Sequence, residues 1–146
     1  MTFERATYKK LNSRQKENYN FHQLAAVLVE YGYTTIMRLT DDWRGADLIA
    51  QHKDGKRELR IQLKSRLTFA KKYRAKGVWI AFPDSDREQW FVYPHDNLLP
   101  KFGFKRTKSW TKGGGYSSNY VSSNNRKLLE RYALWRGSRK VSNKDE

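Results

Sequence analysis

The sequence predicts one α/β domain in which a mixed central β-sheet is flanked by helices. Three observations carry that expectation. Apolar residues recur at helical spacing early and late in the chain, two β-rich runs flank Asp54-Gly55, and two further β-rich runs follow at residues 77–82 and 89–93. The 146 residues include five Trp, nine Tyr and seven Phe, enough bulky apolar surface for one core and too little chain for two ordinary domains.

The elements follow in order. Asn12 or Ser13 caps a helix whose Phe21, Leu24, Ala25, Leu28 and Val29 share a face, and Gly32 lies where it stops. Glu17 sits one turn before Phe21 on that face, near the positive helix end that favours a carboxylate. Residues 33–39 are rich in β-formers and lead into a polar turn over residues 40–45, which contains Asp41 and Asp42. Residues 46–52 and 56–65 form a hairpin about Asp54-Gly55. With those two as loop residues, Leu48 faces Ile61, Ala50 faces Leu59 and Asp47 faces Gln62. One hairpin face is then apolar, with Leu48, Ala50, Leu59, Ile61 and Leu63, and the other gathers Asp47, Arg60, Gln62 and Lys64 together with Ile49.

Residues 67–76 form a basic connector, as a strand extension or a short helix. Residues 77–82 and 89–93 read as antiparallel neighbours joined by a turn through Asp84, Ser85 and Asp86. Residues 11–93 thus make up the predicted core. Residues 94–137 form a basic, aromatic extension in which cations alternate with Phe102, Phe104, Trp110, Tyr116 and Tyr120 around a Gly113-Gly114-Gly115 hinge. Ser122 or Ser123 caps a last helix with Leu128, Leu129, Tyr132 and Trp135 on one face, and residues 138–146 are a polar, frayed tail.

Lys and Arg number 30 against 15 Asp and Glu, a net charge of +15, so the surface attracts polyanions. Nucleic acid is favoured over a membrane, because no stretch approaches the roughly 18 apolar residues of a spanning helix. Residues 1–10 are charged and carry no secretory signal, and the absence of cysteine suits a reducing compartment, so the expected location is cytoplasmic. Lack of cysteine also removes thiolate zinc sites, thiol nucleophiles and disulfides.

The polar hairpin face brings together an acid, an amide oxygen and an amine. Phosphodiester hydrolysis assisted by Mg²⁺ or Mn²⁺ needs a carboxylate and a second oxygen on the ion, with a cation near the phosphate and attacking water. Asp47, Gln62 and Lys64 supply those groups. The text Gly45-Ala46-Asp47-Leu48-Ile49-Ala50, then Ile61-Gln62-Leu63-Lys64-Ser65, resembles the PD-(D/E)xK, or restriction-endonuclease-like, nuclease superfamily, in a variant with Gln at the middle position. The resemblance implies a Mg²⁺-dependent DNA endonuclease, a metal set of Asp47, Gln62 and the helical Glu17, and a catalytic role for Lys64. Its alternative is a non-catalytic DNA-binding protein on the same fold; an RNA-binding module lacks a recognisable motif. Cutting both strands needs two sites and so admits a homodimer, whereas nicking does not require one.

Lys71, Lys72, Arg74 and Lys76 in the connector, with Lys105, Arg106, Lys108 and Lys112 in the extension, are candidates for contact with phosphates. Trp110, Tyr116 and Tyr120 are expected in the core, with base stacking as the other reading. Asp41 and Asp42, and Asp84 and Asp86, read as turn residues, and His22, His52 and His95 as structural or exposed.

Overall fold

A computed structural model describes residues 1–85 and 88–137, residues 42 and 43 by their backbone alone; Asp86 and the expected tail at 138–146 lie outside the described residues. Asn12 starts the first helix, α1 (Ser13–Glu30). Its side chain accepts the Gln15 N–H, and the Gln15 side chain accepts the Asn12 N–H, both at 2.9 Å, a reciprocal capping box. The helix buries Asn20, Leu24, Val27 and Leu28. Val29, expected on that face, is 46% exposed, because Val27 rather than Val29 continues the row one turn after Leu24.

Three antiparallel strands follow, β1 (Thr35–Trp43), β2 (Ala46–Gln51) and β3 (Glu58–Leu63). The expected polar turn at 40–45 contracts to Arg44 and Gly45, whose φ angles are 53° and 81°. Two residues at positive φ match the twist of a tight hairpin, so the strand runs on and Asp41 lies in β1 rather than in a turn. Glycine is needed at 45 for a second reason, since a Cβ there would stand 3.1 Å from the ring of Tyr73. Between β2 and β3 the register is the one read from the sequence, Leu48 opposite Ile61 and Ala50 opposite Leu59. The loop is longer than two residues. His52 N–H bonds to Arg57 C=O at 2.8 Å, and the Asp54 carboxylate accepts the N–H groups of Lys56 and Arg57 at 2.8 and 3.1 Å and Arg57 Nε at 2.8 Å. The Lys56 N–H, then the Arg57 side chain, hold the Asp54 carboxyl well below the usual carboxylate range.

The basic connector is both things expected of it in turn, a strand β4 (Leu67–Ala70) and a 3₁₀ turn (Lys71–Tyr73). Strand β5 (Trp79–Pro83) then runs parallel to β3, with Gln62 beside Ile80, and β6 (Gln89–Pro94) returns antiparallel. Short helices α2 (His95–Leu98) and α3 (Lys108–Thr111) lead to β7 (Gly115–Ser118), which pairs with β4. The three glycines are thus no hinge: they end α3 and enter a strand, and a Cβ at Gly113 would lie 2.7 Å from the Ser109 carbonyl. Ser122 caps α4 (Ser123–Leu129), accepting the Asn125 N–H. The expected helix does not reach Trp135. After a 3₁₀ turn (Glu130–Tyr132) the chain extends as β8 (Ala133–Trp135), because backbone pairing with β6, Trp90 opposite Leu134, outweighs the helical spacing of four side chains. Bonds from the Trp135 N–H to the Tyr31 hydroxyl (3.0 Å) and from the Gly137 N–H to Glu30 Oε2 (2.9 Å) tie this end to α1.

The result is a mixed six-stranded sheet in the order β1-β2-β3-β5-β6-β8, with a two-stranded ribbon, β4-β7. Leu24, Val27 and Leu28 of α1 pack on Leu48, Ala50, Ile61, Ala81, Trp90 and Val92. A second core gathers Ile80, Phe82, Phe91 and Tyr93 with Phe69, Leu98, Phe102, Phe104, Trp110 and Leu129. Among the described residues no helix is long and apolar enough to cross a membrane.

Two buried side chains pin β4 in place. The Tyr93 hydroxyl donates to the Thr68 carbonyl and accepts the Thr68 N–H, and burial pushes its pKa far up, so it stays a donor. His95, fully buried, accepts the Ala70 N–H at Nε2 (3.1 Å), which leaves Nδ1 to donate to Asp96 Oδ1 (2.9 Å), while Asp96 Oδ2 accepts the Ala75 N–H (2.8 Å). Burial lowers the His95 pKa against the opposing pull of Asp96. Asp96, although burial raises it, is brought net below its ordinary range by the bonds from His95 and Ala75. A histidine depressed in the fold contributes stability that is present above its unfolded pKa, about 6.5, and is lost as pH falls below that value. The melting temperature is therefore expected to fall from pH 7 to pH 5, and His95→Gln, which keeps an acceptor but cannot titrate, is expected to flatten that slope. Equal slopes in thermal melts of the two proteins would remove His95 as the source.

Candidate active site

The start of β2 and the end of β3 meet at one end of the sheet, beside the first half of α1. They enclose a cleft of about 530 Å³ whose walls include Glu17, Asp47, Gln62 and Lys64. All four residues singled out by the motif therefore line one cavity.

Each is positioned by its element. Asp47 lies one residue into β2, and its Oδ2 accepts the Leu63 N–H at 2.8 Å, fixing the carboxylate across the hairpin. Gln62 lies in β3 beside Ile80 of β5. The Lys64 N–H continues the β3–β5 ladder to Ala81 C=O at 2.8 Å, and its Nζ stands 5.4 Å from the centre of the Tyr73 ring. Lys72 Nζ lies 5.2 Å from the same ring, so one buried aromatic steadies two ammonium groups. Glu17 reaches the cleft from α1 and is exposed to solvent.

The cleft also holds two cations that the motif did not indicate. Arg38 of β1 donates to Asn18 Oδ1 at 2.8 Å, with its guanidinium 4.7 Å from the Phe21 ring, and Lys16 Nζ stands 5.5 Å from the Tyr8 ring. Both lie on elements whose proximity to the hairpin is a tertiary fact, and no motif or spacing in the sequence marks either of them. Lys16, Arg38 and Lys64 face two carboxylates, Glu17 and Asp47, so the cavity keeps a cationic excess suited to a phosphodiester.

The donor set fits a hard cation. It consists of two carboxylates and an amide oxygen, all oxygen, and Mg²⁺ retains several waters and needs few protein ligands. Among the described residues no group of three or more His, Cys, Asp and Glu side chains is placed to hold a metal; the candidate set has two carboxylates, Glu17 and Asp47, with the Gln62 amide as its third oxygen.

Lys64 also lines a second cleft, of about 600 Å³, with Lys71, Lys72, Ser109 and the three glycines. Of the expected phosphate contacts, Lys71 and Lys72 belong to this cleft, and Lys108 and Lys112 lie beside it on and after α3. Arg74 is exposed beyond the 3₁₀ turn, Lys76 lies with its stem near Gly45, and Lys105 and Arg106 are exposed before α3 and do not line the cleft. Of the rival acids, Asp84 pairs with Arg126 at 3.2 Å. Comparison of the chain with protein-family models, with curated proteins and with solved structures gives no match.

Proposed function

We propose that the chain is a metal-dependent DNA endonuclease of the restriction-endonuclease-like type, hydrolysing phosphodiester bonds in the cleft between α1 and the β2–β3 hairpin. The observation that carries this reading is the convergence of Asp47, Gln62, Lys64 and Glu17 on one cavity with a cationic excess. Asp47, Gln62 and Glu17 would hold Mg²⁺ or Mn²⁺ through side-chain oxygens. Such an ion, when bound, polarises the phosphoryl group and acidifies the attacking water. Lys64, steadied over Tyr73, stabilises the negative charge that develops on the phosphate. Arg38 and Lys16 hold the substrate's backbone from the other elements, and Lys71 and Lys72 carry it into the adjoining cleft.

A plasmid-nicking assay with Mg²⁺, with and without chelator, tests the proposal: relaxed circles are expected only with free metal. Gln62 favours one second reading, nucleic-acid binding without chemistry, because a neutral amide attracts Mg²⁺ less than a carboxylate. Binding with no cleavage in either Mg²⁺ or Mn²⁺ would decide for it.

Under both readings affinity should fall steeply with salt. A surface making about 6 to 10 phosphate contacts loses about three to five decades of affinity between 50 and 200 mM salt. Alanine at Lys71, Lys72 and Arg74 together is expected to reduce the log–log salt slope by about 2 to 3. Fluorescence anisotropy across a salt series measures it, and an unchanged slope would remove this connector from the interface.

A further inference from the structure

The segment leaving β3 touches three clefts in succession. Lys64 is shared by the site cleft and the basic cleft, and Ser65 by the site cleft and a third of about 380 Å³, which Arg66 also lines. Asp84, Asn119 and Tyr120 form further parts of its wall. A group bound there lies next to whatever occupies the site cleft.

Tyr120 distinguishes this cavity. The aromatics of the extension otherwise pack inward: Trp110 is buried, and Tyr116 stacks on Phe104 with ring centres 4.5 Å apart and planes 3° from parallel. Tyr120 is 75% exposed. Its backbone is nonetheless fixed, since Ser118 Oγ accepts the Tyr120 N–H (3.1 Å) and donates to the Tyr120 C=O (2.8 Å). An exposed ring on a braced loop gains nothing for the core and presents a flat apolar surface. Asp84, in the same cavity, is held by both terminal nitrogens of Arg126 at 3.2 and 3.4 Å, which gives the wall a fixed acceptor, while Arg66 adds a cation. A flat ring, an anchored acceptor and a guanidinium are what a nucleobase and its phosphate require.

We infer that the third cleft binds the base of the nucleotide next to the scissile phosphate, unstacked from its neighbours and resting on Tyr120. The inference rests on the nuclease reading of the site cleft and narrows its substrate to DNA with an unpaired or readily unstacked nucleotide beside the cut. Duplex DNA would reach the cleft only by extruding a base, at a cost of a few kcal/mol.

The test uses the wild-type chain in EDTA, which prevents cutting, with a single-stranded oligonucleotide carrying one 2-aminopurine and with the fully paired duplex of the same sequence. Binding of the single strand is expected to quench 2-aminopurine fluorescence. Tyr120→Ala is expected to abolish the quench and raise the single-strand Kd about 5- to 150-fold, the range of one base–aromatic stack. Tyr120→Trp should restore both, and the duplex Kd should change less than about twofold. Identical Kd values and quenching for wild type and Tyr120→Ala would overturn the inference, as would absence of single-strand binding. The two readings fail separately. Magnesium-dependent cutting with an unchanged Tyr120→Ala Kd sinks the base subsite alone, whereas a Tyr120-dependent quench in a protein that never cuts supports the stacking site and sinks the nuclease.

Discussion

Asp47→Asn is expected to lower magnesium-dependent cleavage by about two to three orders of magnitude while leaving the melting temperature near that of the wild type. The separation of the two effects follows from what the carboxylate does. Its Oδ2 accepts the Leu63 N–H at 2.8 Å, a bond that an asparagine carbonyl oxygen reproduces. The negative charge that would hold the metal has no such substitute. Loss of one electrostatic group aimed at a transition state costs about 100- to 1000-fold in rate. Asp47→Ala should lose both, because the part-buried Leu63 N–H then lacks its acceptor, at about 1–3 kcal/mol of stability. Rates from the nicking assay and urea midpoints for the two variants check the pair. An Asn variant that cuts at the wild-type rate would show that Asp47 serves the hairpin and not the chemistry, and would leave Lys64 without a metal partner.

The polar face of that hairpin is legible in the sequence because side-chain alternation along paired strands is strict: once Leu48 lies opposite Ile61, Asp47 and Gln62 must share the other face. Helix α1 was equally legible, since its capping box and apolar row are local. What the sequence did not reveal depends on contacts between distant residues. Arg38 enters the cleft only because β1 pairs with β2 and brings its guanidinium over Phe21. β8 escaped because Leu128, Leu129, Tyr132 and Trp135 fit a helical stripe, and only the free edge of β6 selects extended backbone there. His95 carries no motif, yet one ring nitrogen holds β4 and the other orients Asp96. Of the three aromatics of the basic segment expected in the core, Trp110 and Tyr116 pack inward but Tyr120 is exposed, a difference that composition and spacing do not carry because it depends on which neighbours the loop brings near.

Phe69→Ala is expected to cost about 3–5 kcal/mol, the range for removing a buried aromatic from a core that cannot collapse around the cavity. Collapse does not help here because the ring is fully buried and hemmed in by other packed rings. Its centre lies 5.3 Å from Tyr93, 5.6 Å from His95, 4.9 Å from Phe102 and 5.1 Å from Phe104. Tyr93 at the end of β6 and His95 at the start of α2 are bonded to β4, whereas Phe102 and Phe104 come from the chain that follows α2, so the one ring joins the two parts of the second core. Against a total of about 5–15 kcal/mol for a domain, the loss removes a large share of the stability. It should also loosen the segment carrying Lys101 and Lys105, the exposed residues that flank those phenylalanines. Urea unfolding gives the first quantity and limited trypsin digestion the second, with faster cleavage after Lys101 or Lys105 expected in the variant. Phe69→Leu, which retains most of the volume, should lie between the two and keeps the comparison informative if the alanine variant does not fold. A shift below about 1 kcal/mol for alanine, with trypsin resistance unchanged, would mean that the extension is held by β7 and β8 pairing and that the aromatic cluster contributes little.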